Sequence, residues 1–135
     1  MALINWENSY SVKVKNVDTQ HQKLFTLIND LYDAMNQGKG RDVTGKILDE
    51  LVTYTKTHFA YEEQLLKSNG YPAFAAHKGE HDLFTGKVVD FQKQYQEGKA
   101  SLALPLMTFL KDWLTNHIRG TDQKYSSFLN GKGVS

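Results

Sequence analysis

The sequence predicts an all-α protein, an up-down-up-down antiparallel four-helix bundle with an N-terminal arm. Three observations carry this. Apolar residues recur with helical period in four long stretches and strand-like alternation is absent. Turn signals are confined to the short joints between the stretches, and the two prolines fall only at helix starts. Short joints between long helices favour antiparallel neighbours. A length of 135 residues suits one domain able to bury a core without staples. It divides into an arm (1–17), a bundle (18–129) and a frayed tail (130–135).

The first helix is expected from Asp18, as N-cap, to Gln37. Its stripe is Leu24, Phe25, Leu27, Ile28, Leu31, Tyr32 and Met35, and it stops at GKG. The second is expected from Asp42 to Lys67, with Ile47, Leu48, Leu51, Val52, Phe59, Leu65 and Leu66 before SNGYP. The third runs from Ala73 to Glu97 on Phe74, Phe84, Val88, Phe91 and Tyr95, and ends at Gly98. The fourth starts near Pro105, a residue suited to a first turn. It carries Leu106, Phe109, Leu110, Trp113 and Leu114 and continues to Leu129.

Composition excludes several functions. There is no cysteine, hence no disulfide, thiolate metal site or cysteine nucleophile. The net charge is +1 with the signs interspersed, which argues against nucleic acid or an anionic membrane as partner. No cationic leader or membrane-length apolar run is present, so a cytoplasmic location is expected.

All five histidines fall on the apolar stripes. His21 opens the first helix, His58 lies late in the second, His77 and His81 open the third, and His117 lies late in the fourth. Antiparallel packing therefore brings them to one level. A buried imidazole without a partner costs about 1–3 kcal/mol. Five would cost on the order of 5–15 kcal/mol, comparable with the stability of a whole domain. A metal ion supplies the missing partners, and imidazole suits iron, zinc, copper and nickel.

Helical spacing also sorts the carboxylates. Glu62, four after His58, faces inward; Glu63 is rotated about 100° from it and is expected in solvent. Glu80 and Asp82 read as surface charges. Asp122 follows His117 by five residues, about 140° away in a regular helix. A bulge or kink between Ile118 and Asp122 would return it to the core. Five imidazoles and two carboxylates are too many for one ion and suit two with shared carboxylates. Such neutral, imidazole-rich ligation favours a reversible ferrous/ferric couple over strong oxidation.

The segments VDTQHQKLF, HFAYEE, HKGEH and DWLTNHIRGTDQKY together resemble the hemerythrin family, in its bacteriohemerythrin-like branch, from Trp6 to about Leu129. The resemblance implies a non-haem di-iron centre with an oxo or hydroxo bridge that binds dioxygen reversibly. His77, His81 and His117 would complete one iron. His21 and His58 would hold the other and leave it an open position, and Glu62 and Asp122 would bridge the two. Phe25, Phe59, Trp113, Leu114, Ile118 and Tyr125 are expected to line a dry oxygen pocket, and Gly120 to leave it open. The expected role is oxygen carriage, storage or delivery. An oxygen or redox sensor is the alternative, and a di-iron peroxidase or oxidase or a dizinc hydrolase is disfavoured because no further buried base remains.

Overall fold

A computed structural model describes residues 4–98 and 102–135. Four helical rods form the bundle. The first is α1 (Lys15–Asn36). The second joins α2 (Gly40–Tyr54) through a π-helical segment (Thr55–Phe59) to α3 (Ala60–Ser68). The third is α4 (Phe74–Gln96). The fourth joins α5 (Ala103–Trp113) through a second π segment (Leu114–Asp122) to α6 (Gln123–Gly131). Gly38 and Gly98, with φ of 74° and 81°, end the first and third rods in the left-handed region that favours glycine.

Rod starts differ from the expected ones for physical reasons. The first helix begins at Lys15, not Asp18, because Val14 and Val17 are both buried and fill the end of the bundle. Asp18 reaches back from the first turn and ties down the arm: Ser11 Oγ donates to Oδ2 at 2.6 Å and the Val12 N–H to Oδ1 at 2.8 Å. The second rod starts at Gly40 and the fourth at Ala103, each two residues early, leaving Pro105 inside a first turn. The C-terminal segment, expected to fray, turns back so that the Val134 N–H bonds the Leu129 carbonyl at 3.0 Å.

Among the described residues, two apolar clusters fill the interior. The larger contains Leu24, Leu27, Leu31, Leu48, Leu51, Phe84, Leu106 and Leu110. The smaller contains Val12, Val14, Val17, Leu66, Tyr125 and Leu129. The arm closes over the side of the bundle. Trp6 and Tyr10 pack on Phe25, with ring centroids 5.3 and 4.7 Å away, and the Arg119 guanidinium lies 4.3 Å over the Tyr10 ring. Among the described residues no helix is long and apolar enough to cross a membrane.

Leu31 is fully buried, whereas Leu83 is 76% exposed. Leu31→Ala is expected to cost about 2–5 kcal/mol in a urea unfolding titration. Leu83→Ala should stay within about 0.5 kcal/mol. Equal losses at the two positions would contradict this core.

Candidate metal centre

Between the two apolar clusters lies one polar layer: His21, His58, Glu62, His77, His81, His117 and Asp122, each 2% exposed or less. Every rod contributes. α1 brings His21, the first π segment and α3 bring His58 and Glu62, α4 brings His77 and His81, and the second π segment brings His117 and Asp122. The irregularity expected before Asp122 is this second segment, and it is longer than a single bulge. A π turn closes through i→i+5 hydrogen bonds, so residues five apart share a face. That is why His117 and Asp122 meet, with Nε2 2.9 Å from Oδ1. The first π segment, around His58, was not expected; neither Gly nor Pro marks it.

The two carboxylates stand between two groups of imidazoles. Glu62 Oε1 lies 2.5 Å from His77 Nε2 and 3.0 Å from His81 Nε2, while Oε2 lies 3.4 Å from both His21 Nε2 and His58 Nε2. Asp122 divides in the same way. Its Oδ1 faces His77 at 3.0 Å and His117 at 2.9 Å, and its Oδ2 faces His21 at 3.2 Å. Donor atoms of Glu62, His77, His81, His117 and Asp122 lie within 4.8 Å of one another, as do those of His21, His58 and Glu62.

Apart from the His77 Nε2–Glu62 Oε1 hydrogen bond, these contacts are close without being well-formed hydrogen bonds. His21 Nε2, His81 Nε2, His117 Nε2 and both Asp122 oxygens are buried and make none. Orphaned buried polar atoms are expensive. Nitrogens and oxygens that converge on shared points instead of pairing off are what a cation requires. The donor set, imidazole with carboxylate, suits iron.

In the metal-free chain the layer balances its charge with protons. Burial works against a charged imidazole at His21 and His77, but the Asp122 and Glu62 carboxylates outweigh it and raise these groups to about 9 and about 10. His117 also rises against burial, through the same two carboxylates and Glu80. At His58 burial wins and the imidazole is lowered. Burial likewise opposes ionisation of Glu62 and Asp122, yet the surrounding imidazoles hold both below the usual carboxylate range. Burial and the two nearby negative charges push the Tyr125 hydroxyl well above its usual range. It stays protonated and donates to Glu62 Oε2 at 2.8 Å.

Aromatic rings support the imidazoles. Phe59 stacks flat on His81 at 3.8 Å, Trp113 on His117 at 4.0 Å and Tyr54 on His58 at 5.0 Å. Phe59 and Trp113 therefore pack against the three-imidazole group. Tyr125 is a hydrogen-bond donor as well as an apolar wall. Leu114 and Ile118 are buried in the larger cluster, and Phe25 joins it to the arm. Gly120 is exposed, and a Cβ built on it would meet nothing within 4 Å, so it faces solvent and does not open the pocket. A surface cavity of about 480 Å³ lies between α1 and α2 and reaches His58, Gln20 and Tyr54.

Sequence spacing missed a set of outer partners. Glu63 and Glu80, expected in solvent, accept the Nδ1 protons of His81 at 2.9 Å and His117 at 3.0 Å. Gln20 Oε1 accepts that of His58 at 2.6 Å. Glutamate side chains are long enough to reach around a rod edge to the next rod, which angle on a single helix does not reveal. Asp82 is a surface charge as expected, paired with Lys78 at 3.0 Å.

Residues 12–129 match the hemerythrin HHE cation binding domain. A bacteriohemerythrin of Stenotrophomonas maltophilia is 38% identical over 126 residues, covering 93% of this chain and 81% of that one. A bacteriohemerythrin of Methylococcus capsulatus is 37% identical over 131 residues, covering 96% and 99%. A solved wild-type hemerythrin superposes with a TM-score of 0.86 at 38% identity, over 95% of this chain and 98% of that one. With these motifs, this fold and this donor layer, the chain belongs to the hemerythrin family.

Proposed function

We propose that the chain binds dioxygen reversibly at a non-haem centre of two irons, for carriage, storage or delivery, and that it is not primarily an enzyme. One observation carries this reading. Both buried carboxylates turn one oxygen to the three-imidazole group and the other to the two-imidazole group. His77, His81 and His117 would hold one ion, His21 and His58 the other, and Glu62 and Asp122 would link them. When bound, a pair of irons cycling between ferrous and ferric supplies the electrons for reversible oxygen binding.

The chain's own residues supply the rest. Tyr125 keeps its proton and holds Glu62 Oε2, so the linking carboxylate has a fixed orientation. Stacked Tyr54, Phe59 and Trp113 restrict rotation of three imidazoles. Buried Leu114 and Ile118 exclude water, which disfavours escape of a charged reduced-oxygen species and loss of the reduced state. Among the described residues, every buried carboxylate and imidazole belongs to the layer, leaving no separate buried general base.

Four outcomes are expected. Anaerobic loading with ferrous iron should give about two ions per chain, with a visible spectrum that changes on oxygen and reverses on its removal. Irreversible oxidation with peroxide release would contradict the carrier reading. Glu62→Ala should lose most of the iron by elemental analysis, and Ile118→Asn should keep the iron but autoxidise faster. Full occupancy in the first variant would break the linking role, and an unchanged rate in the second the shielding role. Zinc loading at pH 7 should release protons, because His21 and His77 hold theirs up to about 9 and about 10. The release should shrink as pH rises through those values; a pH indicator in weak buffer reads it.

A further inference from the structure

Three imidazoles donate an Nδ1–H hydrogen bond to the preceding rod. His58 on the second rod donates to Gln20 on the first, His81 on the third to Glu63 on the second, and His117 on the fourth to Glu80 on the third. Each acceptor is the chain neighbour of a layer residue on its own rod: Gln20 precedes His21, Glu63 follows Glu62, and Glu80 precedes His81. The rod that places one donor atom in the layer thereby orients the imidazole arriving from the next rod. Glu80 is fixed in turn by the Thr121 hydroxyl, which donates to its oxygens at 2.9 and 3.1 Å. The Nδ1 atoms of His21 and His77 are buried and make no hydrogen bond.

This outer ring is unequal in charge. The three-imidazole group has a carboxylate behind His81 and another behind His117. The two-imidazole group has only a neutral amide, behind His58. A carboxylate accepting the Nδ1 proton makes an imidazole a more basic donor at Nε2, and an amide does so less. A stronger donor favours the more highly charged oxidation state of an ion held there.

We propose that Gln20, Glu63 and Glu80 are positioning residues that commit His58, His81 and His117 to binding through Nε2. Their difference in charge makes the two halves of the centre unequal, with the three-imidazole half the better holder of ferric charge. The inference rests on the metal-centre reading above and adds to it an outer ring with a direction.

The test uses the iron-loaded chain and three near-isosteric variants: Gln20→Glu, Glu63→Gln and Glu80→Gln. Each keeps an acceptor oxygen for the Nδ1–H and adds or removes one negative charge. In a spectroelectrochemical titration, Glu63→Gln and Glu80→Gln are expected to raise the midpoint potential. Each should change the ferric-to-ferrous binding ratio by roughly tenfold, about 59 mV for one electron. Gln20→Glu is expected to lower the potential. The Glu63 and Glu80 side chains are 20% and 41% exposed, so solvent screening keeps these effects well short of those of a buried charge. A merely structural role would alter stability and leave the potentials unchanged.

A second readout needs no iron. In zinc-loaded protein labelled with ¹⁵N-histidine, the Nδ1 protons of His58, His81 and His117 should exchange slowly, and Glu80→Ala should remove protection at His117 alone. Unchanged potentials in all three variants at full iron loading would overturn this inference and leave the proposed function standing. A wild-type chain that loads no metal would overturn both.

Discussion

Two carboxylates and five imidazoles are buried at one level of an otherwise apolar bundle, and the rest of the structure is arranged around the need to satisfy them. Burying an ionised group in a low-dielectric interior costs several kcal/mol unless good partners surround it. No single rod can surround Glu62 or Asp122. The partners come from all four rods, which holds the rods in antiparallel order and at fixed heights, because the layer joins the early turns of the first and third rods to the middle and later turns of the second and fourth. The larger apolar cluster packs on one side of the layer and the smaller on the other. A slip of one rod along its axis would unpair the layer and both clusters at once.

Regular α-helix cannot deliver all the groups, and the two π segments lie where it fails. Between His117 and Asp122 the wider turn converts a spacing of five into a shared face. Around His58 it sets an imidazole beside Tyr54 and Phe59 just before Glu62 enters from α3. π turns are uncommon in isolation and recur at functional sites. Here the layer supplies a reason to keep them.

Much of this was legible in the sequence. Periodicity placed the four rods, put all five histidines on their inner faces and separated Glu62 from its neighbours. The five-residue step to Asp122 was itself a sign of irregular backbone. Other features left no local mark. The π segment at Thr55–Phe59 follows from tertiary packing without a breaker residue. Asp18 looked like an N-cap, but burial of Val14 and Val17 extended the helix past it, and its carboxylate went to the arm instead. Glu63 and Glu80 sit at angles that face solvent on their own helix, and only the position of the neighbouring rod turns them toward His81 and His117. Its spacing from His117 points Gly120 toward the pocket, whereas the π backbone directs it outward.

The central claim is that this layer exists to hold two ions that share Glu62 and Asp122. Anomalous diffraction at the iron edge, from crystals grown after anaerobic ferrous loading, tests it most directly. Two peaks are expected within the layer, one among His77, His81 and His117 and one beside His21 and His58, with both carboxylates reaching both peaks. A single peak, or iron found only at surface carboxylates while the imidazoles stay paired with Glu62 and Asp122, would contradict it.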